Sequence, residues 1–457
     1  MADHENGRKR QALTTTIAAI ATPAGRGGVG IIRLSGPTSK KIAEKLCGQL
    51  AEPRYAAYRQ FTDGAGVVID DGLVIYFPCP HSFTGEDVVE FQVHGSPVGL
   101  DILLERCLAL GAVAARPGEF SERAFLNGRI DLVQAEAIAD LIDSRTRGAA
   151  RSAQRSLQGE FSNRINNIRE LLIELRKVIE ASIDFTDEDI DFLKDTKLVK
   201  QNDNIIDKLD QLLKQAEYGR LMHDGITLVI VGPPNVGKSS LLNALSKMES
   251  AIVSETPGTT RDVIRETISL DGLPVTVLDT AGLRATSDSI ESEGIRRAQN
   301  AMQQADYILL VMEDGVSQKD IDELWVQLPN PDAACLVLNK ADIMGNPVGQ
   351  LKDYHRPAVR ISVKNNEGLE SLSQQVCEHL QFTDHSEDSF IARRRHIDAL
   401  GRARDYAQQA ATQLQAGLGD LVAEDLRLAL DVLGEITGEY RADDLLGEIF
   451  SSFCIGK

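Results

Sequence analysis

The stretch Gly232-Pro-Pro-Asn-Val-Gly-Lys-Ser239 decides the fold of the central part of the chain. It fits the phosphate-binding pattern G-x-x-x-x-G-K-[ST] in full, between the strand-like run Ile226 to Val231 and the helix-like run Ser240 to Leu245. Glycines there let backbone N–H groups approach phosphates, and the start of a helix adds a positive dipole end. The pattern therefore predicts a P-loop domain in which Lys238 neutralises phosphate oxygens and Ser239 binds Mg²⁺.

Four further segments follow the phosphate loop. They are Thr259-Thr260-Arg261-Asp262, Asp279-Thr280-Ala281-Gly282, Asn339-Lys340-Ala341-Asp342 and Ser362-Val363-Lys364. The last three follow apolar runs that begin at Val275, Cys335 and Val359 and are typical of buried parallel strands. Together with a further run, Tyr307 to Met312, these predict a doubly wound, mostly parallel sheet. The series resembles the motifs of the translation-factor-like class of P-loop GTPases.

This resemblance implies a role for each segment. Thr260 would complete the Mg²⁺ shell, Asp279 would hold that ion through water, and the Gly282 N–H would contact the γ-phosphate. Asp342 would accept two hydrogen bonds from guanine, which adenine cannot donate. The expected GTP site comprises Asn235, Val236, Gly237, Lys238, Ser239, Ser240, Ser254, Glu255, Thr256, Pro257, Gly258, Thr259, Thr260, Asp279, Thr280, Ala281, Gly282, Asn339, Lys340, Asp342, Ser362 and Val363.

The catalytic group is not obvious from these motifs. Leu283 stands where Ras-like enzymes carry a glutamine that orients the attacking water. Arg284 is adjacent, but a lone arginine in a loop is more often a surface residue. The Asn235 amide oxygen could bind K⁺, which would replace an arginine finger, or Asn235 could serve only the backbone of a tight loop. The residues alone leave both interpretations open.

Composition limits the class of protein. The chain has 457 residues with 68 acidic against 49 basic, a net charge of −19, which argues against a surface built for non-specific nucleic-acid binding. The six cysteines include no C-x-x-C pair, so we expect neither a disulfide framework nor a zinc site. No apolar run approaches the roughly 20 residues of a membrane span. The short run Ile17 to Ala21 after Arg8-Lys9-Arg10 predicts a tail leading into a strand rather than a signal peptide. We expect a cytoplasmic protein with no membrane partner.

The first part of the chain has an α+β pattern. Val67 to Ile69, Leu73 to Phe77 and Val88 to Val93 are predicted as three strands, and Ser96 to Leu110 as a helix. Gly25 to Gly30 matches the dinucleotide pattern G-x-G-x-x-G formally, but a strand-like run follows it. We therefore predict a tight turn between strands.

Helical periodicity flanks the P-loop segment on both sides. Apolar residues recur at three- or four-residue steps and predict one helical stripe through Leu157, Phe161, Ile165, Ile168, Leu172, Leu175, Ile179 and Ile183. After about residue 388 the pattern is helical again. The P-loop domain is therefore predicted to be inserted into a helical domain made of two chain segments.

Four further segments lie outside the P-loop domain: Ala21-Thr-Pro-Ala-Gly-Arg-Gly-Gly-Val-Gly-Ile31, Ser82-Phe-Thr-Gly-Glu-Asp87, Arg116-Pro-Gly-Glu-Phe-Ser-Glu-Arg-Ala-Phe-Leu-Asn127 and Phe450-Ser-Ser-Phe-Cys-Ile-Gly-Lys457. Together they resemble one family, the tRNA-modification GTPase MnmE (TrmE) family. The resemblance implies an N-terminal α+β folate-binding-like and dimerisation domain (1–125), a helical domain (126–220 and 384–457) and an inserted Ras-like GTPase domain (221–383). It covers residues 14 to 457.

The resemblance also implies a reaction and partners. Such a protein is a homodimer that acts with MnmG, an FAD-containing partner, in a heterotetramer or larger complex. It places an aminomethyl or carboxymethylaminomethyl group on carbon 5 of the wobble uridine of certain tRNAs. A tetrahydrofolate derivative, in its 5-formyl or methylene form, would be held by Arg33, Glu90, Arg129 and Lys457. Some relatives carry lysine at the 129 position, which has a different donor geometry.

For hydrolysis, the resemblance favours Asn235 as a K⁺ ligand together with Ser254, Thr256 and Thr259. Glu291 would order the attacking water, although by itself it is typical of an exposed acid at a helix start. Cys454 matches a family cysteine in the modification reaction, but the sequence shows no group that would activate its thiol. The predicted catalytic residues are thus Glu291, Lys238, Asn235 and Cys454.

A basic cluster stands out in the acidic chain. Arg393, Arg394, Arg395, Arg402 and Arg404 lie on a predicted helix with a single acid, Asp398, among them. The cluster could contact tRNA phosphates, or it could pair with the acid-rich stretch 184–191. The sequence does not choose between these.

Two other functions fit parts of the pattern. A ribosome-assembly GTPase would share the P-loop motifs, but such proteins usually carry a basic RNA-binding appendage that this chain lacks. A folate-dependent one-carbon transferase with a regulatory GTP site would share both sites. In that case the phosphate-loop lysine would be dispensable for modification.

Overall fold

The computed structural model describes residues 15–184, 196–248, 265–279, 299–352, 354–382, 389–439, 443–451 and 453–456. The chain divides into two compact units, one of residues 1–139 and 430–457 and the other of residues 140–429. The domain boundaries expected at 125, 220 and 383 are finer than this division and stay predictions. Within the described residues, no helix combines the length and apolar character needed to cross a membrane.

The described strands are β1 Ile17–Ile20, β2 Gly27–Ser35, β3 Ala57–Thr62, β4 Val68–Phe77, β5 Val88–Gly95, β6 Val113–Ala114, β7 Ile226–Val231, β8 Arg265–Leu270, β9 Leu273–Asp279, β10 Tyr307–Glu313, β11 Ala334–Asn339, β12 Gly349–Gln350 and β13 Ala358–Arg360. The described α-helices are α1 Ser39–Cys47, α2 Pro97–Ala109, α3 Glu119–Leu126, α4 Leu132–Asp143, α5 Arg147–Leu157, α6 Glu160–Asp184, α7 Thr196–Asp224, α8 Lys238–Met248, α9 Gln318–Trp325, α10 Ala341–Met344, α11 Leu369–His379, α12 Arg394–Ala416, α13 Gly419–Thr437 and α14 Asp443–Ser451.

The N-terminal unit is built on a six-stranded sheet in the order β3-β4-β5-β2-β1-β6. Its pairs are antiparallel except β1 with β6. Alternate residues of the strands, such as Ile32, Leu34, Phe61 and Phe91, are fully buried in its core. The predicted α+β pattern is confirmed, including the helix α2, whose start is capped by the Ser96 hydroxyl at 3.4 Å from the Gly99 N–H.

Two details of that sequence prediction were wrong. The runs Val67 to Ile69 and Leu73 to Phe77 are joined in one strand, β4, which begins at Val68, because Gly72 lets the chain continue where a Cβ would lie 2.1 Å from the Gln92 carbonyl oxygen. The run Gly25 to Gly30 was predicted as a turn, but β2 already begins at Gly27. The pairing of β2 with β5 shifts register between Gly27 and Gly30, as at a β-bulge.

The helices α5, α6, α7 and α12 form the helical part of the second unit. The predicted apolar positions from Phe161 to Ile179 are buried on α6, as the periodicity indicated. Leu157, however, ends α5, because the chain turns at Gly159, whose φ of 87° favours glycine. The Phe161 ring stacks on Phe390 at 4.4 Å, which ties α6 to the segment that leads into α12.

The inserted domain carries a seven-stranded sheet in the order β12-β13-β11-β10-β7-β9-β8. Its central pairs are parallel, and only β8 with β9 and β12 with β13 are antiparallel. The chain enters it from α7 through Gly225 and returns to the helical part before α12. The predicted fold class, a doubly wound P-loop domain inserted into a multidomain chain, is confirmed. The carboxyl ends of β7, β10 and β11 meet at one edge, where such sheets bind ligands.

Candidate functional sites

The phosphate loop joins β7 to α8 in a strained, glycine-dependent conformation. Gly232 has φ 142°, and a Cβ there would lie 2.1 Å from the Val311 carbonyl oxygen. Asn235 has φ 65°, a left-handed conformation that asparagine tolerates better than most residues. The Lys238 ammonium folds over the loop and donates to the carbonyl oxygens of Gly232 and Pro233 at 2.9 and 2.6 Å. The loop thus presents its backbone and one cation at the start of an 11-residue helix.

A buried asparagine joins the phosphate loop to the base-binding end of the site. Asn339 is 3% exposed at the end of β11. Its amide nitrogen donates to the Val236 carbonyl oxygen at 2.8 Å, and its amide oxygen accepts from the Val363 N–H at 3.1 Å. Gly237 has no room for a side chain here, because its Cβ would lie 2.5 Å from the Asn339 amide nitrogen. Three motifs separated in sequence are thereby brought together.

The carboxylate of Asp342 is fixed beside this junction. Asp342 is the second residue of α10, and its side chain is 16% exposed. One of its carboxylate oxygens accepts from the Ser362 hydroxyl at 2.8 Å, and the Lys364 ammonium lies 4.0 Å from the other. Lys340, in a left-handed conformation, forms an ion pair with Glu313. The carboxylate retains acceptor capacity for a ligand while its orientation is held by a hydroxyl.

These elements line an open cleft of about 690 Å³, a size in the range of small-ligand sites. The lining residues are Asn235, Gly237, Ser240, Asn243, Ala244, Lys247, Asn339, Lys340, Asp342, Ile343, Val363, Lys364 and Asn366. Asn243, Lys247 and Asn366 were not singled out from the sequence. They belong to no sequence motif, and only the packing of α8 against the following loops shows that they line the cleft.

Several predicted site residues lie outside the described residues. They are Ser254, Glu255, Thr256, Pro257, Gly258, Thr259, Thr260, Thr280, Ala281, Gly282, Glu291 and Lys457, together with Leu283 and Arg284. Asp279 ends β9, and only its backbone is described. The roles assigned to these residues stay predictions.

The N-terminal unit brings together a second set of predicted residues. Arg33 of β2 and Glu90 of β5 are cross-strand neighbours, and the Arg33 Nε lies 2.9 Å from a Glu90 carboxylate oxygen. Another Arg33 nitrogen lies 3.4 Å from the Gly456 carbonyl oxygen, which places the C-terminal segment at this pair. Two aromatic rings, Phe83 and Phe120, lie 5.6 Å from the Arg33 guanidinium.

A tight fit holds the C-terminal segment against the sheet. Gly456 has φ 95°, and a Cβ there would lie 2.4 Å from the Ile20 carbonyl oxygen. Phe453 is 5% exposed, and the neighbouring Cys454 is exposed, its carbonyl oxygen accepting from the Gly118 N–H at 3.4 Å. Of the four residues expected to hold the folate, Arg33 and Glu90 therefore pair with each other. Arg33 also contacts Gly456, the residue before Lys457. For Arg129 the structure shows packing of its side-chain carbons near Gly85.

A buried ion-pair network supports this second site. Arg123 is 1% exposed, and its guanidinium lies 3.1 Å from Glu86 and 3.0 Å from Glu119. Glu86 also accepts from the Ser35 hydroxyl at 2.6 Å, at the end of β2. The loop that carries Phe83 is therefore fixed to the strand that carries Arg33. Sequence reasoning missed Phe83, Phe120 and Arg123, although all three lie within segments quoted for their resemblance.

Two protein-family models together match most of this chain. The model described as the GTP-binding protein TrmE N-terminus matches residues 16–129, and the model described as the MnmE helical domain matches residues 132–454. The tRNA modification GTPase MnmE of Pseudomonas syringae is 53% identical over 450 residues, which is 97% of this chain and 99% of the relative. Those of Chromohalobacter salexigens and Coxiella burnetii are each 52% identical over 448 residues, 97% of this chain and 98% of the relative. The chain belongs to the MnmE family of tRNA modification GTPases.

Membership of the MnmE family confirms the resemblance drawn from the sequence motifs. Among solved structures, the G domain of the FeoB iron transporter of T. maritima is similar to 34% of this chain at 24% identity, with a TM-score of 0.26.

The arginine cluster at 393–404 is engaged within its own unit. Arg393 caps α12 and lies 2.6 Å from Asp140, while Arg404 lies 2.5 Å from Asp210 of α7. The acid-rich stretch 184–191 lies outside the described residues except for Asp184 at the end of α6. The described partners of these two arginines are carboxylates on α4 and α7, and both alternatives for the cluster stay predictions.

The same region contains a perturbed histidine. The hydrogen bonds that His223 makes to Asp140 and Asp224 raise its pKa to about 9. Its ring nitrogens lie 3.3 Å from Asp140 and 2.7 Å from Asp224. His223 is the penultimate residue of α7, immediately before the chain enters the inserted domain. Charge pairing therefore stabilises the entry to that domain at neutral pH.

Proposed function

We propose that the chain is a K⁺-stimulated GTP hydrolase that, with the FAD-containing partner MnmG, modifies the wobble uridine of certain tRNAs at carbon 5. The group added is an aminomethyl or carboxymethylaminomethyl group, and a tetrahydrofolate derivative supplies its one-carbon unit. One observation carries the nucleotide part of this proposal: Asn339 ties the phosphate loop to the 362–363 loop, and the Ser362 hydroxyl of that loop holds the Asp342 carboxylate at the same cleft.

Guanine recognition follows from the orientation of Asp342. Guanine presents two N–H donors on one edge, N1–H and the 2-amino group, and a carboxylate accepts both. Adenine has no such pair, so its binding would leave a partly buried carboxylate without partners. The Ser362 hydroxyl supports this preference because it fixes the carboxylate from its far side.

Hydrolysis requires neutralisation of the charge that develops on the phosphates. Lys238 and the N-terminus of α8 supply part of it, and Ser239 would bind Mg²⁺. Asn235 lines the cleft, and its amide oxygen would bind K⁺ there. Ser254, Thr256 and Thr259 would complete that K⁺ shell, and Thr260 and Asp279 the Mg²⁺ shell. When bound, K⁺ stabilises the same charge that an arginine finger does.

The folate site is proposed from the chemistry of its donors and acceptors. The Arg33 guanidinium offers donors to an anionic group, and the Glu90 carboxylate accepts N–H bonds of the kind a pterin ring offers. Phe83 and Phe120 provide aromatic faces and edges beside both groups. Arg129 and Lys457 would add two cations for the glutamate carboxylates of the folate. Cys454 is exposed next to this site and is proposed to act in modification.

The assembly and location are proposed on family membership. The chain would act as a cytoplasmic homodimer within a heterotetramer or larger complex with MnmG and tRNA. Glu291 would order the attacking water during hydrolysis. The boundaries 1–125, 126–220, 221–383 and 384–457 are proposed for the folate, helical and GTPase domains.

The cation mechanism is tested by initial rates of GTP hydrolysis in KCl and in NaCl at equal ionic strength. The parent is expected to hydrolyse GTP at least tenfold faster in KCl, and Asn235→Ala is expected to lose that difference. Asn330→Ala is the matched control, because Asn330 is exposed and its side chain caps no helix. Equal rates for the parent in both salts would reject the proposed K⁺ role.

The folate site is tested by titration of the full chain with 5-formyltetrahydrofolate. Arg33→Gln removes the charge and is expected to weaken binding at least tenfold while GTP hydrolysis stays at the parent rate. Arg59→Gln on the sheet-edge strand β3 is the control, since β3 lies three strands away from β2. Unaltered folate affinity of Arg33→Gln would reject the proposed site.

A further inference from the structure

The outer face of helix α5 carries an arginine cluster that the nucleotide and folate sites do not use. Arg145, Arg147, Arg151 and Arg155 lie between Asp143 and Glu160, a stretch with no acidic residue, in a chain whose net charge is −19. Four residues of an α-helix advance about 6 Å, so Arg147, Arg151 and Arg155 follow one another along one face. These three residues are called the arginine face below.

The arginine face points away from the core of its unit. The opposite side of α5 is buried through Ala149, Ser152, Ala153 and Ser156. Two of those serines fix the helix to the segment before α12: the Ser152 hydroxyl lies 2.8 Å from that of Ser389, and the Ser156 hydroxyl accepts from the Ile391 N–H at 2.9 Å. The orientation of the helix, and therefore of its arginines, is thus set by buried hydrogen bonds.

Two members of the arginine face are available to a ligand. Arg147 and Arg151 are exposed, and among the residues that the structure describes neither forms an ion pair or a hydrogen bond. Other helix arginines of the unit are engaged, as Arg164 is with Glu160 at 2.8 Å and Arg404 with Asp210 at 2.5 Å. Two unpaired guanidinium groups about 6 Å apart on a rigid helix form a site for an anionic polymer.

The other residues of this face select RNA over protein as the partner. Gln154 and Gln158 are the exposed neighbours of the arginines, and no aromatic or large aliphatic side chain is exposed among them. Stable protein interfaces need buried aromatic or aliphatic anchors, whereas phosphate contacts are made by Arg and Gln side chains.

We propose that the arginine face of α5 binds the phosphate backbone of tRNA. The proposal rests on the proposed function, which makes tRNA the substrate.

Helix α5 contacts the nucleotide domain, so RNA bound to the arginine face would lie close to that domain. The Thr146 hydroxyl, which caps α5, donates to the Gly272 carbonyl oxygen at 2.8 Å, and Arg145 donates to the Thr267 hydroxyl at 3.3 Å. Gly148 packs against the same turn, since a Cβ there would lie 2.8 Å from the Gly272 carbonyl oxygen. RNA on the arginine face is therefore held beside the β8–β9 hairpin, whose second strand ends at Asp279.

The test is the affinity of the full-length protein for unmodified tRNA, measured by fluorescence anisotropy between 50 and 300 mM KCl. The test variant is Arg147→Gln with Arg151→Gln, which keeps side-chain length and helix propensity. The control is Arg176→Gln with Arg427→Gln, which removes the same charge from two half-buried arginines that pair with Glu180 and Glu424. Thermal unfolding midpoints of both variants, each expected near the parent value, show that each remains folded.

Counterion release predicts the size of the effect. Each phosphate contact contributes about 0.7 to 0.9 to the slope of log affinity against log salt concentration. The test variant is expected to bind at least about tenfold more weakly at 0.1 M salt, with a slope smaller by about 1.4 to 1.8. The control is expected to retain the slope of the parent.

Three outcomes would overturn parts of this proposal, and they differ. If the parent binds tRNA and the test variant has the same affinity and salt slope, the arginine face is not an RNA site while the proposed function stands. If the parent fails to bind tRNA even with its partner MnmG present, the proposed function fails and this proposal with it. A change in self-association of the test variant, with unchanged tRNA affinity, would also reject the RNA assignment.

Discussion

Replacement of Asp342 by asparagine is expected to change the nucleotide preference from guanine to xanthine. The substitution keeps an acceptor for the Ser362 hydroxyl, which lies 2.8 Å from the carboxylate, so the loop is expected to stay in place. It replaces the second acceptor by an N–H₂ donor, which faces the 2-amino group of guanine. Xanthine carries a carbonyl at that position and would accept a bond from the asparagine.

The expected loss of GTP affinity follows from the two hydrogen bonds that guanine would donate to the charged Asp342 carboxylate. Each is worth about 1.5 to 3 kcal/mol, so the loss for GTP is about 3 to 6 kcal/mol, which corresponds to roughly 10²- to 10⁴-fold in affinity. Lys364 loses its charge partner at 4.0 Å, but its side chain is 84% exposed, so that loss contributes little.

The assay is competition of GTP and XTP against a fluorescent GDP analogue on the full chain. Asp332→Asn, which removes one charge from an exposed position of the same domain, is the control and is expected to keep the parent preference. If Asp342→Asn retained the GTP over XTP preference of the parent, Asp342 would not be the residue that reads the base.

Three further outcomes follow from the contacts described. His223 is protonated at neutral pH because its pKa is raised to about 9, so its stabilising effect is complete below about pH 6.5 and is lost as pH rises through 9. The melting temperature of His223→Gln should therefore lie below that of the parent at pH 6.5 and approach it at pH 9.5. Gly232→Ala should cost about 2 to 5 kcal/mol and abolish GTP binding, because its Cβ would meet a backbone carbonyl at 2.1 Å, whereas Gly345→Ala, with nothing within 4 Å, should cost only about 1 to 2 kcal/mol. Arg123→Met should destabilise the N-terminal unit by about 3 to 5 kcal/mol because two buried carboxylates lose their partner, and Arg116→Met, 66% exposed, by at most about 1 kcal/mol. Equal unfolding midpoints within either substitution pair, or the same pH dependence for His223→Gln and the parent, would contradict the corresponding argument.

The sequence predicts the nucleotide domain well because its motifs sit at strand ends. The strand β7 has the predicted ends, Ile226 and Val231, and β11 and β10 contain their predicted runs. Hydrophobic periodicity does not predict the bounds of an element where a glycine changes the path of the chain. Gly72 merges two predicted strands and Gly159 divides a predicted helical stripe, and neither effect depends on hydrophobic periodicity.

In the candidate sites too, sequence motifs predict some residues, and only the folded structure reveals others. Residues within phosphate and base motifs could be named in advance, because their chemistry requires particular side chains at fixed spacing. Arg123 could not, because only the folded sheet shows that Glu86 and Glu119 meet at its guanidinium. The partners of Arg393 and Arg404 were also missed, since Asp140 and Asp210 lie far away in sequence and become neighbours only through helix packing.

The most direct measurement of the central claim is mass spectrometry of tRNA wobble nucleosides from a strain that lacks this gene. The account predicts that uridines modified at carbon 5 disappear in the deletion strain and return when the gene for the parent chain is supplied. It also predicts that they do not return with Lys238→Ala, because GTP hydrolysis is required. If wobble uridines in the deletion strain carried the same modification as in the parent strain, the proposed function would be contradicted. If Lys238→Ala restored the modification in full, GTP would have only a regulatory role.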